Sequence, residues 1–203
     1  MAISLRDVWL RLGGRHVLRG VTAELGGRSL IVGPNGSGKT VLLLTIAGAY
    51  KPERGSIEVG GRLSVVFQDP DLHFLAGTIK ENAALWSKGR LTDAEIEKLA
   101  EELGVADLLG KSPWELSWGQ RKAAAVLTAL SSRPDVLLAD ELLEGLSPKL
   151  ASRILRVIEE SVKTVVLTSH SLYGGWRVYF MEEGVLYLGE AALGKLKEHG
   201  YLD

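Results

Sequence analysis

Apolar residues recur along the chain in two periods, and the switches between them mark the elements. Residues 3–12 alternate loosely between apolar and polar and predict a strand. Val21–Leu25 and Ser29–Val32 predict two more, with Gly26-Gly27 as the turn between them. The run SLIVGPNGSGKTVLLLTIAG, residues 29–48, reads as a short apolar strand, a glycine-rich loop and an apolar helix. GSIEVGGRLSVVF, residues 55–67, reads as strand, Gly60-Gly61 turn, strand. The pattern then turns helical. Thr92-Asp93-Ala94-Glu95 has the form of a capping box, and Ile96, Leu99, Ala100 and Leu103 fall on one helical face behind it. Ser117 to Leu130 predicts a further helix. DVLLAD (135–140) and TVVLTS (164–169) predict buried strands separated by a helix over Pro148–Ser161, and RVYFMEEGVLYLG (177–189) predicts a closing hairpin. Strands alternating with helices imply a three-layer α/β core around a largely parallel sheet. The helical stretch from about Thr78 to Leu130 is the candidate inserted subdomain of a single domain over 1–203.

Composition narrows the function classes. The net charge of −1 gives no bulk attraction to nucleic acid or anionic lipid. There is no cysteine, which excludes disulfides, thiolate metal sites and a cysteine nucleophile. The N-terminal MAISLRDVWLRL carries charges within its apolar part, unlike a signal peptide, and no apolar run approaches the roughly 20 residues that span a bilayer. A soluble, intracellular protein is expected. Asn and Gln occur only at Asn35, Asn82, Gln68 and Gln120, a scarcity in the direction of a hot habitat.

The chemistry concentrates in two places. Gly33-Pro34-Asn35-Gly36-Ser37-Gly38-Lys39-Thr40 matches G-x-x-x-x-G-K-[ST], between a strand and a helix as that pattern requires. Glycines let the backbone wrap an oxyanion with its N–H groups inward, and the following helix adds its positive end. Lys39 then reaches the β- and γ-phosphates and the Thr40 hydroxyl takes a Mg²⁺ position. The second place is the end of the strand Val136–Ala139. Asp140 there suits a water-bridged Mg²⁺, and the adjacent Glu141 suits the polarisation of an attacking water. A strand-end acid pair capping a loop is the bland alternative, and the phosphate-type loop weighs against it.

The order phosphate loop, Gln68, LSWGQ (116–120), VLLADE (136–141) and TSH (168–170) resembles the ATP-binding-cassette (ABC) ATPases over nearly the whole chain. FQDPDLHFLAGTIKENAAL (67–85) is most similar to the ATPase subunits of energy-coupling-factor and cobalt-type importers, although GTIKEN also has the flavour of exporter cassettes. The resemblance implies an ABC ATPase fold: a P-loop core, an N-terminal antiparallel β subdomain and an inserted α-helical subdomain. It implies that Lys39 and its loop are Walker A, Asp140 the Walker B aspartate, Glu141 the catalytic glutamate, Gln68 the metal-sensing Q-loop glutamine and His170 the switch histidine. Ser117, Trp118, Gly119 and Gln120 become the signature, which grips in trans the ATP held by a second ATPase subunit. Ser117-x-x-Gln120 is also a capping box, so an ordinary helix start is the bland reading and is compatible with the first. ATP and Mg²⁺ follow as cofactors, and a transmembrane permease as partner. Nucleic acid does not, and the place implied is cytoplasmic, on the inner face of the cell membrane.

Departures from the family pattern mark where function could differ. Trp118 stands where the family has its first signature glycine, Ser147 where it has an aspartate, and ELLEG (141–145) lacks the usual Pro-Thr. Leu12 falls near the position of the aromatic that stacks on adenine. By the resemblance, the altered groups would act on a neighbour's nucleotide, and the intact ones, Lys39, Asp140, Glu141 and His170, on the chain's own. A chain that hydrolyses well but grips its partner's ATP less well is therefore expected; a regulatory module that clamps ATP without turnover is the alternative. A DNA-repair or translation cassette would need long insertions or a second cassette.

Overall fold

The computed structural model describes residues 3–202. Strands β1 (Ile3–Leu12), β2 (Arg15–Leu25) and β4 (Arg54–Val59) form an antiparallel sheet in the order β2-β1-β4. Strands β3 (Arg28–Val32), β5 (Leu63–Val66), β6 (Val136–Ala139), β7 (Thr164–Ser169), β8 (Arg177–Glu182) and β9 (Val185–Tyr187) form a second sheet in the order β5-β6-β7-β3-β8-β9. All its pairings are parallel except β8 with β9, which is the expected closing hairpin.

The central strands are buried on both faces, and their period of two divides them between two cores. Leu30, Val32, Leu137, Ala139, Val165 and Leu167 face one core, whereas Ile31, Val136, Leu138 and Val166 face the other. The first core is filled by helices α2 (Ile79–Ser87), α3 (Asp93–Leu103), α4 (Trp118–Ser131) and α5 (Pro148–Ser161). The second is filled by α1 (Lys39–Ile46) and the inner face of the three-stranded sheet. Two-sided burial explains why β3, β6 and β7 read as continuous apolar runs.

Three features differ from the sequence reading. First, β2 begins at Arg15 rather than Val21, because Gly13-Gly14 turns the chain and pairs Leu12 with Arg15 and Leu10 with Leu18. Second, the Gly26-Gly27 and Gly60-Gly61 turns do not join strands of one sheet: each carries the chain from one sheet to the other, between β2 and β3 and between β4 and β5. Third, a final helix α6 (Gly189–Glu198) was not expected. Gly189 and Gly194 lower its local propensity. Burial of Ala192 and Leu196, one helical turn apart, fixes it against the core.

Within 78–130 the helix starts are strongly specified. Thr78 with Glu81, Thr92 with Glu95 and Ser117 with Gln120 all close reciprocal capping boxes. The fully buried Asn82 accepts the N–H groups of Leu75 and Ala76 and donates to the carbonyls of Ala76 and Thr78, which fixes the segment entering α2.

Candidate nucleotide site

The loop Gly33–Gly38 leaves β3 and enters α1 with the geometry that its glycines allow. A Cβ on Gly33 would stand 2.0 Å from the Met181 carbonyl oxygen, so the loop packs backbone to backbone on β8. Gly38, the N-cap of α1, has φ 109°, and its own Cβ would meet Met181 Cε at 2.9 Å and Val17 O at 3.1 Å. No side chain caps α1, so its first amides point at the loop. Lys39, only 5 % exposed, curls back and donates to the carbonyls of Gly33 (2.8 Å) and Pro34 (3.0 Å). Burial pulls its ammonium below the usual lysine range, with the carboxylates of Glu141, Asp140 and Glu144 opposing. Ser37 Oγ is buried with no hydrogen-bond partner. An orphaned hydroxyl, unpaired helix amides and a buried ammonium in one concavity fit a polyphosphate.

A small open cavity of about 160 Å³ lies over this loop, lined by Val17, Asn35, Gly36, Gly38, Lys39, Thr40, Val41 and Glu141. Leu12 does not line it. Leu12 is half-buried at the end of β1 against the second core, and Val17 of β2 takes the place by the cavity. The loop's extra contact was hidden in the sequence because β2 was read as starting four residues after Val17. A larger, mostly apolar cavity of about 890 Å³ between β2, β8 and α6 contains none of these groups.

The acid pair sits at the C-terminal end of β6, across from the loop. Asp140 is buried, and its Oδ1 accepts the Thr168 hydroxyl at 2.6 Å. Thr168 Oγ1 in turn accepts the Glu141 N–H at 2.9 Å. Glu141 takes a left-handed backbone, φ 44°, which non-glycine residues rarely adopt. Its carboxylate is engaged on both oxygens: Gln68 Nε2 donates to Oε2 at 2.8 Å and His170 Nε2 donates to Oε1 at 3.0 Å. Gln68, Glu141 and His170 follow the ends of three different strands, Gln68 and Glu141 being 73 positions apart in the chain, and the parallel sheet brings all three to one edge. Glu144 joins them, 3.6 Å from His170 Nε2. Thr40, Asp140 and Gln68 offer oxygen donors of the kind that a hard divalent cation takes.

Ser117 is the N-cap of α4. Its Oγ accepts the Gln120 N–H (3.4 Å), and its own N–H donates to Gln120 Oε1 (2.9 Å). Trp118 is the first helical residue, 44 % exposed, with the Arg121 and Lys122 cations 5.6 and 5.8 Å from its ring centroid. Gly119 lies against Leu150 and Leu146, where an added Cβ would come within 3.2 and 3.5 Å. Ser147 caps α5 by accepting the Leu150 N–H, with Pro148 at the first helical position. Sequence reasoning missed Thr168, Glu144, Val17 and Lys122. Thr168 had a signal, since it stands near the end of β7, two residues before His170, which follows that strand.

The fold and this site define an α/β protein built to bind a nucleotide by its phosphates. The sequence pattern of the ABC transporter family matches residues 20–144, and the chain belongs to that family. It is an ATP-binding subunit of the ABC type. It is 31 % identical over 196 residues, 84 % of this chain and 63 % of the other, to the energy-coupling factor transporter ATP-binding protein of Methanothermobacter thermautotrophicus. The fold matches a dimeric bacterial ABC transporter cassette (TM-score 0.80, 22 % identity, 91 % of this chain and 96 % of that one). It also matches a bacterial Atm1-family ABC exporter with ATP bound (TM-score 0.84, 24 % identity, 98 % of this chain and 40 % of that one).

Proposed function

We propose that this chain is the ATP-hydrolysing subunit of a membrane importer of the energy-coupling factor kind, working as one of two cassettes that close around two ATP molecules. The observation that carries the reading is Glu141: a mostly buried carboxylate beside the Lys39 loop, with Gln68 and His170 on its two oxygens. In use, Lys39 exchanges its two loop carbonyls for the β- and γ-phosphates, and the loop amides donate to the same oxygens. Glu141 orients a water toward the γ-phosphate and draws its proton, and His170 supports the developing charge. Thr40, Asp140 and Gln68 would hold Mg²⁺, which when bound would offset charge on the phosphate oxygens. Ser117, Trp118, Gly119 and Gln120 present a helix start to the nucleotide of a second ATPase subunit.

The permease partner is supported by the surface next to Gln68. Leu72, Leu75 and Leu85, 58 %, 71 % and 50 % exposed, stand on the segment 70–87. No helix among the described residues is long and apolar enough to cross a membrane, and in this reading a permease supplies the membrane-spanning part. In this reading the chain works in the cytoplasm on the inner face of the membrane, with the helical stretch 78–130 as the subdomain that meets the permease. The importer sense rests on the energy-coupling factor relative.

Two substitutions test the reading. Lys39→Ala removes the charged donor to the phosphates and is expected to weaken Mg-ATP binding by at least about tenfold in a filter or calorimetric assay. Glu141→Gln is expected to keep ATP affinity, lower turnover by about 10²-fold or more, and accumulate a closed dimer on gel filtration. Normal phosphate release by Glu141→Gln would remove Glu141 as the base.

A further inference from the structure

A second buried ammonium lies close to the site and has no part in the function proposed above. Lys122, in the second turn of α4, is only 3 % exposed. Its Nζ donates to the backbone carbonyls of Glu141 (3.1 Å) and Glu144 (2.7 Å), the two ends of the turn that follows β6. The Glu144 N–H also donates to the Glu141 carbonyl (3.3 Å), so that oxygen accepts twice. Thr168 holds the Glu141 N–H from the other side. The Glu141 peptide groups are thus fixed at both ends while its φ stays at 44°, a conformation that persists only where the surroundings over-determine it. Burial draws the ammonium down from the usual lysine range, and the Glu144 and Glu141 carboxylates oppose that. The stem of Lys122 rises from the helix whose first turn is Ser117–Gln120, and its Nζ lies 5.8 Å from the Trp118 ring centroid.

We propose that Lys122 is a positioning residue: it sets the backbone from which Glu141 projects and ties the start of α4 to that backbone. This rests on the reading of Glu141 as the group that activates water, and adds to it. In the proposed function the start of α4 meets a partner's nucleotide, so Lys122 would join that surface to the base of the chain's own site. A cation is suited to the task because one ammonium donates to two converging carbonyls, whereas an apolar side chain takes that donor from both and leaves the Glu141 carbonyl only the Glu144 N–H.

The test compares Lys122→Met with the unmodified chain in the assembled ATPase complex. kcat is expected to fall at least about tenfold, with KM and Mg-ATP affinity within about twofold. In a Glu141→Gln background the same substitution is expected to change the residual rate by less than about twofold, because Lys122 acts through Glu141. Equal losses in both backgrounds, or a raised KM with kcat intact, overturn the proposal. Should Lys122→Met not fold, Lys122→Gln, one bond shorter and still a donor, serves instead: kcat lower by about threefold or more in the Glu141 background alone supports it, and unchanged kcat overturns it. A wild-type complex that binds Mg-ATP but never turns it over overturns the reading of Glu141 and this inference together. An active wild type with an equally active Lys122→Met overturns this inference alone.

Discussion

His73 shows how one side chain sets the approach to Gln68. Its ring is buried between Phe67 and Trp86, its Nε2 accepts the Phe67 N–H at 3.1 Å, and its carbonyl accepts the Trp86 indole N–H. Phe67 is the residue before Gln68, so the imidazole holds the end of β5 in place. Burial lowers its pKa to about 4, with Asp69 opposing. The folded state therefore binds this proton less readily than the unfolded chain, whose histidine titrates near 6.5. Stability from this group is complete above about pH 6.5 and falls as the pH drops toward about 4, by at most about 3 kcal/mol. Urea midpoints from pH 7 to 4 should slope less steeply for His73→Gln than for the parent. Parallel slopes would exclude His73 as a source of acid sensitivity. Nothing in the sequence marked it: its spacing from Phe67 carries no period, and its burial comes from the fold.

At the scale of elements, caps and apolar periods were legible and strand destinations were not. The starts of α3 and α4 follow from local side-chain chemistry, so Thr92-x-x-Glu95 and Ser117-x-x-Gln120 could be located from sequence. The partition of β4 and β5 between two sheets depends on distant pairing, here Arg62 N–H with the Asp135 carboxylate and Asp135 N–H with the Arg62 carbonyl. No local pattern encodes that. The same limit hid α6, which tertiary burial stabilises against weak propensity. Thr92→Ala removes the hydroxyl that accepts the Glu95 N–H and is expected to cost about 1 kcal/mol in chemical denaturation, since the cap is exposed and nothing else replaces it. A loss near zero would show that α3 is held by its packing against α4 and α5 alone.

At the scale of the whole molecule, the proposed function needs a site for one nucleotide and, in the start of α4, a surface that would meet another. The phosphate-type loop and the acids after β6 were readable because each needs particular residue types at fixed spacing. The grouping of Gln68, Glu141 and His170 was readable only through family resemblance, because three strand ends meet there by topology. Trp118 is the residue that most alters the outward face, and it lies half exposed with two cations by its ring. In a complex whose other cassette has an ordinary signature, Trp118→Gly is expected to raise ATP turnover by at least about threefold through tighter closure. If turnover is the same with every partner, the asymmetry between gripping and hydrolysing is absent.

Gln68 and His170 each contact one oxygen of Glu141. If the proposed function holds, turnover is expected to rise when a second cassette or a permease draws one of those side chains aside, a change that ATPase rates of the chain alone and in complex would show.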